Sequence, residues 1–200
     1  MTNKDLKNFR NAIHKDLKIS PQNKKSSCFI VRERKKESPI QRIEFTFKNQ
    51  DDVLIISQKE NIHTINILEE FSTNCSCDFI IFMLDKKREM RVYFCEIKPS
   101  YRKEYLEEAC KQIQSSKLFV KYMMECYSSF AQNDCLESFD IELKSQYYYI
   151  YPKINNSNKK KVYKDNLYIK NLILKPLDAD KDNRMAKVCE SSIDEFLGFD

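Results

Sequence analysis

Asp78, Glu96 and Lys98 are the residues of this chain whose types and placement can do chemistry. Asp78 opens the apolar run Phe79-Ile80-Ile81-Phe82, and Glu96-Ile97-Lys98 closes a second run, Tyr93-Phe94-Cys95. Side chains alternate along a strand with period two, so Glu96 and Lys98 leave it on one face while Ile97 turns into the core. The break between the runs, Asp85-Lys86-Lys87-Arg88-Glu89, is polar enough for a hairpin tip and would return Asp78 to the Glu96 end. Two carboxylates and one ammonium on a sheet face suit metal-assisted phosphodiester hydrolysis. Mg²⁺ (or Mn²⁺) takes oxygen ligands, usually one or two carboxylates with water and phosphate oxygens completing the shell. A bound ion lowers the pKa of its water and offsets charge on the phosphoryl group. A lysine beside that water is a point charge that orients it or stabilises the transition-state oxygens.

Glu-x-Lys alone is a weak signal where 32% of residues are charged, and Glu142-Leu143-Lys144 repeats it. Position separates the two. The first copy ends an apolar strand, has an Asp-led strand before it and a long helical pattern after it; the second has no such partner. The plain alternative for the first copy is a strand end carrying a Glu96–Lys98 salt bridge.

The elements that must position these residues are legible in outline. Leu6, Phe9, Ile13 and Leu17 have helical spacing, ended by Ser20-Pro21-Gln22-Asn23. Cys28-Phe29-Ile30-Val31 is a short strand candidate. Ile43, Phe45 and Phe47 alternate with polar residues, then Asn49-Gln50-Asp51-Asp52 leads into Val53-Leu54-Ile55-Ile56, which reads as a hairpin. Residues 62–71 fit a short helix or a strand. Leu106, Ala109, Cys110, Ile113, Val120, Met124 and Tyr127 form the stripe of a long helix from about residue 102 to 130. Tyr147-Tyr148-Tyr149-Ile150-Tyr151 is a strand stopped by Pro152, residues 167–174 suggest a last strand, and weak order is expected from Leu177 until Ile193, Phe196 and Leu197.

Strand with Asp, hairpin, strand with Glu-x-Lys, long helix, strand: this order, with Asp78 and Glu96-Ile97-Lys98 as its motif residues, resembles the PD-(D/E)xK (restriction-endonuclease-like) nuclease superfamily over roughly residues 60–155. The resemblance implies an α/β fold with a mixed central β-sheet flanked by helices. It implies Asp78, Glu96 and Lys98 as catalytic residues, with the metal held by Asp78, Glu96 and the Ile97 backbone carbonyl. A flanking helix of such proteins often adds an acid, which Glu69 or Glu70 would supply. Some branches carry a Gln or Lys on the later helix, where Gln112 lies on the sheet-facing side with Ala109 and Ser116. Cys77 stands where the superfamily's typical proline precedes the first acid, and Pro99 ends the catalytic strand at once because proline cannot extend a ladder.

Composition narrows the partners. The chain has 200 residues, 42% of them hydrophobic, enough for one compact core. Three segments are expected: an N-terminal helix and hairpin extension over 1–58, the nuclease-like core over 59–176, and an acidic, weakly ordered tail over 177–200. The single glycine, Gly198, argues against glycine-rich nucleotide-binding loops. No apolar run nears the roughly 20 residues of a membrane span and no secretory signal is visible, so the expectation is a cytoplasmic protein with no membrane partner. Eight cysteines without a C-x-x-C pair then read as buried thiols rather than disulfides or a zinc site. His14 and His63, the only histidines, read as surface or capping residues.

The net charge of +5 is unevenly spread: residues 1–36 and 153–175 are basic and the tail is acidic. Basic segments around an acidic centre fit a polyanion, with Lys159, Lys160 and Lys161 as the nucleic-acid-binding run, although surface lysines are also simply solvated. The tyrosines of 147–151 can stack bases on one face or fill the core. The functional expectation is hydrolysis of nucleic acid, DNA before RNA, in defence, mobile-element or repair work, with a homodimer or a larger complex as the assembled form. The alternative is a catalytically inactive nucleic-acid-binding or complex-forming subunit with the same core. A third reading docks the acidic tail on a larger complex and leaves the core intact without it.

Overall fold

The computed structural model describes residues 2–23, 26–33, 35, 37–58, 75–131, 136, 139–153 and 171–199. They form an α/β protein of three layers: helices, a six-stranded mixed sheet, and a four-stranded sheet with a C-terminal helix. The central sheet has the order β1-β4-β5-β6-β7-β8, from β1 (Lys18–Ile19), β4 (Val53–Ile56), β5 (Phe79–Leu84), β6 (Met90–Ile97), β7 (Ser145–Pro152) and β8 (Leu172–Leu177). Neighbours from β1 to β6 are antiparallel; β6, β7 and β8 run parallel. The parallel step from β6 to β7 needs a long crossover, and α2 (Lys103–Ala131) supplies it.

Both faces of this sheet are covered, which is why its strands read as nearly unbroken apolar runs. Ile80, Phe82, Val92 and Phe94 face the helices, meeting Phe9 of α1 (Asn3–Ala12) and Val120 and Met124 of α2. Phe79, Ile81, Tyr93 and Cys95 face the second sheet. Phe9 seats edge-on against both Phe82 and Tyr127, with ring centroids 5.7 and 5.1 Å away. Helix α1 starts on a reciprocal cap: the Asp5 amide donates to Thr2 Oγ1 and the Thr2 amide to Asp5 Oδ2. It is shorter than its apolar spacing suggests, yet Ile13 and Leu17 beyond its end remain buried.

The β5–β6 hairpin forms as expected, with Asp85 Oδ1 accepting from the Lys87 and Glu89 amides. Two other expectations are overturned. The first is the hairpin of residues 43–56. Strand β3 (Arg42–Thr46) belongs to the second sheet, where it lies between β2 (Cys28–Arg32) and β10 (Met185–Val188), with β9 (Ala179–Asp180) beyond β10, whereas β4 belongs to the first. Asn49 caps a 3₁₀ turn, Gln50–Asp52, that carries the chain between layers, so β3 and β4 place Phe45 and Ile55 in one core from opposite sheets. The 1–58 segment therefore supplies strands to both sheets.

The second is the weakly ordered tail. Strand β10 (Met185–Val188) lies parallel to β3 and antiparallel to β9 (Ala179–Asp180), between them in the sheet. Helix α3 (Glu190–Leu197) buries Ile193, Phe196 and Leu197. Gly198, at φ 72°, closes that helix in the left-handed conformation that glycine adopts without a Cβ penalty. The tail's acids stay at the surface while its apolar residues complete the core shared with β2 (Cys28–Arg32) and β3. Charge along the tail masked that pattern. Strand β8 covers the second half of the expected last strand; residues 154–170 lie outside the described set. Among the described residues, no helix is long and apolar enough to cross a membrane.

Candidate active site

The end of β6 and the residue before β5 lie side by side, and each carboxylate is held by the other's strand. The Asp78 amide donates to Glu96 Oε2 at 3.1 Å, and the Ile97 amide donates to Asp78 Oδ2 at 2.7 Å. Alternation along β6 sends Glu96 and Lys98 toward the helix layer and the Ile97 side chain into the opposite core, as the strand period requires. Tight hydrogen bonding fixes the Asp78 peptide. Ser57 Oγ donates to its carbonyl at 2.7 Å, and the Cys77 amide donates to Ser116 Oγ, which donates in turn to Gln58 Oε1.

Lys98 is only 1% exposed, and all three of its ammonium hydrogens have an acceptor within 3.0 Å. Glu96 Oε1 lies 2.9 Å away, Gln112 Oε1 2.8 Å and Glu108 Oε2 3.0 Å. Glu108 and Gln112 are one turn apart on α2, so a single helical row grips the ammonium from the side opposite the sheet. Gln112 also ties the site's other edge, its Nε2 donating to the Ser76 carbonyl at 3.2 Å.

Burial dominates the electrostatics. It pushes the Asp78 carboxyl well above the usual carboxylate range, and the nearby charges of Glu96 and Glu33 push the same way. Glu96 is raised too, chiefly by burial, with Lys98 pulling against it. Burial by itself would lower Lys98, but Glu96 and Glu108 outweigh it and raise its pKa. The residue is a fixed cation, not a base. Burial also raises the Cys77 and Cys95 thiols far above their ordinary value, as fits inert core cysteines.

Of the expected site residues, Asp78, Glu96, Lys98 and Gln112 come together, with the Ile97 backbone between the two acids. Glu69, Glu70, Lys159, Lys160, Lys161 and His63 lie outside the described residues. The other Glu-x-Lys is apart and exposed: Glu142 pairs with Lys117 and Lys121, and Lys144 with Glu89. His14 accepts from the Asp16 amide and caps a 3₁₀ turn. Tyr148, Tyr149 and Tyr151 are core residues, leaving Tyr147 as the partly exposed member of that run.

Two residues were missed. Glu108 had a signal, being one turn before Gln112 on the sheet-facing row. Glu33 had none within its own segment. It follows β2, and only the folding of the second sheet brings its carboxyl into hydrogen-bonding reach of Asp78. The same carboxyl accepts from the Lys35 amide at 2.8 Å, and the Lys35 ammonium lies 3.4 Å from Glu108.

The donor set suits a hard cation: buried Glu96 and half-buried Asp78 lie side by side, their mutual repulsion eased by one backbone amide each and by Lys98 beside Glu96. Mg²⁺ needs no more than that from a protein. No group of three or more His, Cys, Asp or Glu is arranged to hold a metal among the described residues, so water and substrate oxygens would have to complete the shell. Comparison with protein-family models, curated proteins and solved structures finds no match to this chain.

Proposed function

We propose that this protein is a metal-dependent nuclease with a restriction-endonuclease-like core, hydrolysing phosphodiester bonds of nucleic acid, DNA before RNA. The observation that carries the reading is the reciprocal hold between Asp78 and Glu96 at neighbouring strand ends, with Lys98 leaving the sheet on the face of Glu96. The element order supports it: a three-strand antiparallel meander of β4, β5 and β6, the α2 crossover, then parallel β7.

Asp78 and Glu96 would hold Mg²⁺ or Mn²⁺, with the Ile97 carbonyl as a third oxygen. Such an ion supplies a water of lowered pKa and offsets charge on the phosphoryl oxygens. The chain's own part is positional and electrostatic. Lys98 stays protonated, so its work is to stabilise negative charge that grows in the transition state. Gln112 fixes where that charge sits. Ser57 holds the Asp78 carbonyl and Ser116 the Cys77 amide before it, which keeps the Asp78 carboxylate beside Glu96.

The rival reading, a non-catalytic nucleic-acid-binding subunit, draws on the saturation of Lys98: a lysine with three acceptors is also a complete structural ion pair. The two separate cleanly. A nuclease cleaves DNA with Mg²⁺ or Mn²⁺ and stops under a chelator. The rival binds DNA without metal and keeps that binding when Lys98 is removed.

A further inference from the structure

Lys98 has two kinds of partner. Glu96 and Gln112 approach from within the fold, whereas Glu108 approaches from the mouth of the site and is 43% exposed. Glu108 is bracketed. Its Oε2 meets buried Lys98 at 3.0 Å, and its Oε1 meets Lys35, 60% exposed, at 3.4 Å. A carboxylate presenting one oxygen to each of two ammonium groups matches a phosphodiester in charge and in its pair of unesterified oxygens. Lys35 is not placed by chance: its amide donates to Glu33, whose carboxyl reaches Asp78, so the connection after β2 delivers this lysine to the edge of the catalytic group.

We propose that Lys35 and Lys98 form the seat of a substrate phosphate, and that Glu108 is a resident stand-in which the phosphate displaces. The inference rests on the nuclease reading and adds to it a binding residue and an intramolecular competitor. Displacement is physically easy on one side and constrained on the other. The exposed Lys35–Glu108 pair is weak, as such surface pairs are. Glu108 can swing into solvent, whereas Glu96 is buried and Gln112 is tied to the Ser76 carbonyl, so both keep Lys98 in place. The phosphate therefore arrives at the one N–H of Lys98 that faces out. Exchange of one anion for another leaves the charge at the seat unchanged.

The test is equilibrium binding of a fluorescent DNA oligonucleotide, single-stranded and duplex, to the full chain with Ca²⁺ in place of Mg²⁺. Glu108→Ala and Glu108→Gln are expected to tighten binding at least about threefold at about 50 mM salt, where phosphate contacts are least screened. Lys35→Ala is expected to weaken it and lower the salt slope by about 0.9, the signature of one lost phosphate contact. Glu107→Ala is the charge-matched control, since Glu107 pairs with exposed Lys103 on the same helix; it should tighten binding less than about twofold. Equal tightening by the Glu107 and Glu108 variants, or weaker binding by both Glu108 variants with melting temperatures unchanged, would overturn the stand-in. An unchanged salt slope in Lys35→Ala would remove Lys35 from the seat. Wild-type protein that binds no DNA at all would instead overturn the nucleic-acid reading underneath.

Discussion

Gln112 and Lys98 are joined at 2.8 Å, and through that contact the long helix sets the position of the only buried ammonium among the described residues. Because Gln112 Nε2 also donates to the Ser76 carbonyl, it couples the cation to the segment that leads into Asp78.

Gln112→Leu should therefore act on rate more than on binding. Lys98 would keep Glu96 and Glu108 but lose its lateral restraint, and kcat should fall about tenfold or more, with KM little changed. Stability should fall by about 1–3 kcal/mol, because the Ser76 carbonyl loses its donor. Steady-state kinetics with a thermal melt checks both. An unchanged kcat in a folded variant would make Gln112 merely structural.

The buried acids predict a pH dependence of stability with a definite sign. Asp78 and Glu96 have folded-state pKa values raised above the unfolded ones, so the folded protein binds more protons in between. Stability of the metal-free protein should then be greatest at the acid end of that window. It should fall as pH rises from about 4.5 towards about 7, the range set by Glu96. Asp78→Asn should flatten the fall and raise stability at neutral pH while abolishing hydrolysis. Urea unfolding midpoints at several pH values, with a chelator present, measure it. Midpoints that rise over that range would contradict the burial argument.

The C-terminal segment should be essential to folding. Deleting residues 178–200 removes Ala186, Val188, Ile193, Phe196 and Leu197 from the second core and unzips β10 from β3. Ile193→Ala alone, at a fully buried position, should cost about 2–5 kcal/mol. A truncated chain with unchanged melting temperature would restore the tail to the role of an appended docking segment.

Particular residues explain how much was legible beforehand. Asp78, Glu96 and Lys98 were readable because the strand period is a local rule and the hairpin between them is short. The helix after them was readable from its 3.6-residue stripe. The second sheet was not: β3 pairs with β10 across some 140 residues of chain, and nothing within either strand names the other. Its turn, Asn49-Gln50-Asp51-Asp52, has hairpin composition but performs a change of layer. Glu33 escaped for the same reason, since its proximity to Asp78 is made by the packing of two sheets. The Glu142/Lys144 pair shows the converse, a matching local motif whose charges pair instead with Lys117, Lys121 and Glu89.

Mg²⁺-dependent hydrolysis of DNA by the purified wild type, Lys98→Ala, Glu96→Gln and the decoy double variant Glu142→Gln/Lys144→Ala decides whether the Asp78–Glu96–Lys98 cluster is a nuclease centre. Cleavage by the wild type should stop on chelation. The Lys98 and Glu96 variants should lose about 100- to 1,000-fold in rate. The decoy, whose exposed pairs contribute at most about 1 kcal/mol each to stability, should retain near wild-type activity. Cleavage that survives the chelator, or that depends on the decoy pair and not on Lys98 and Glu96, would contradict a nuclease centre at that cluster.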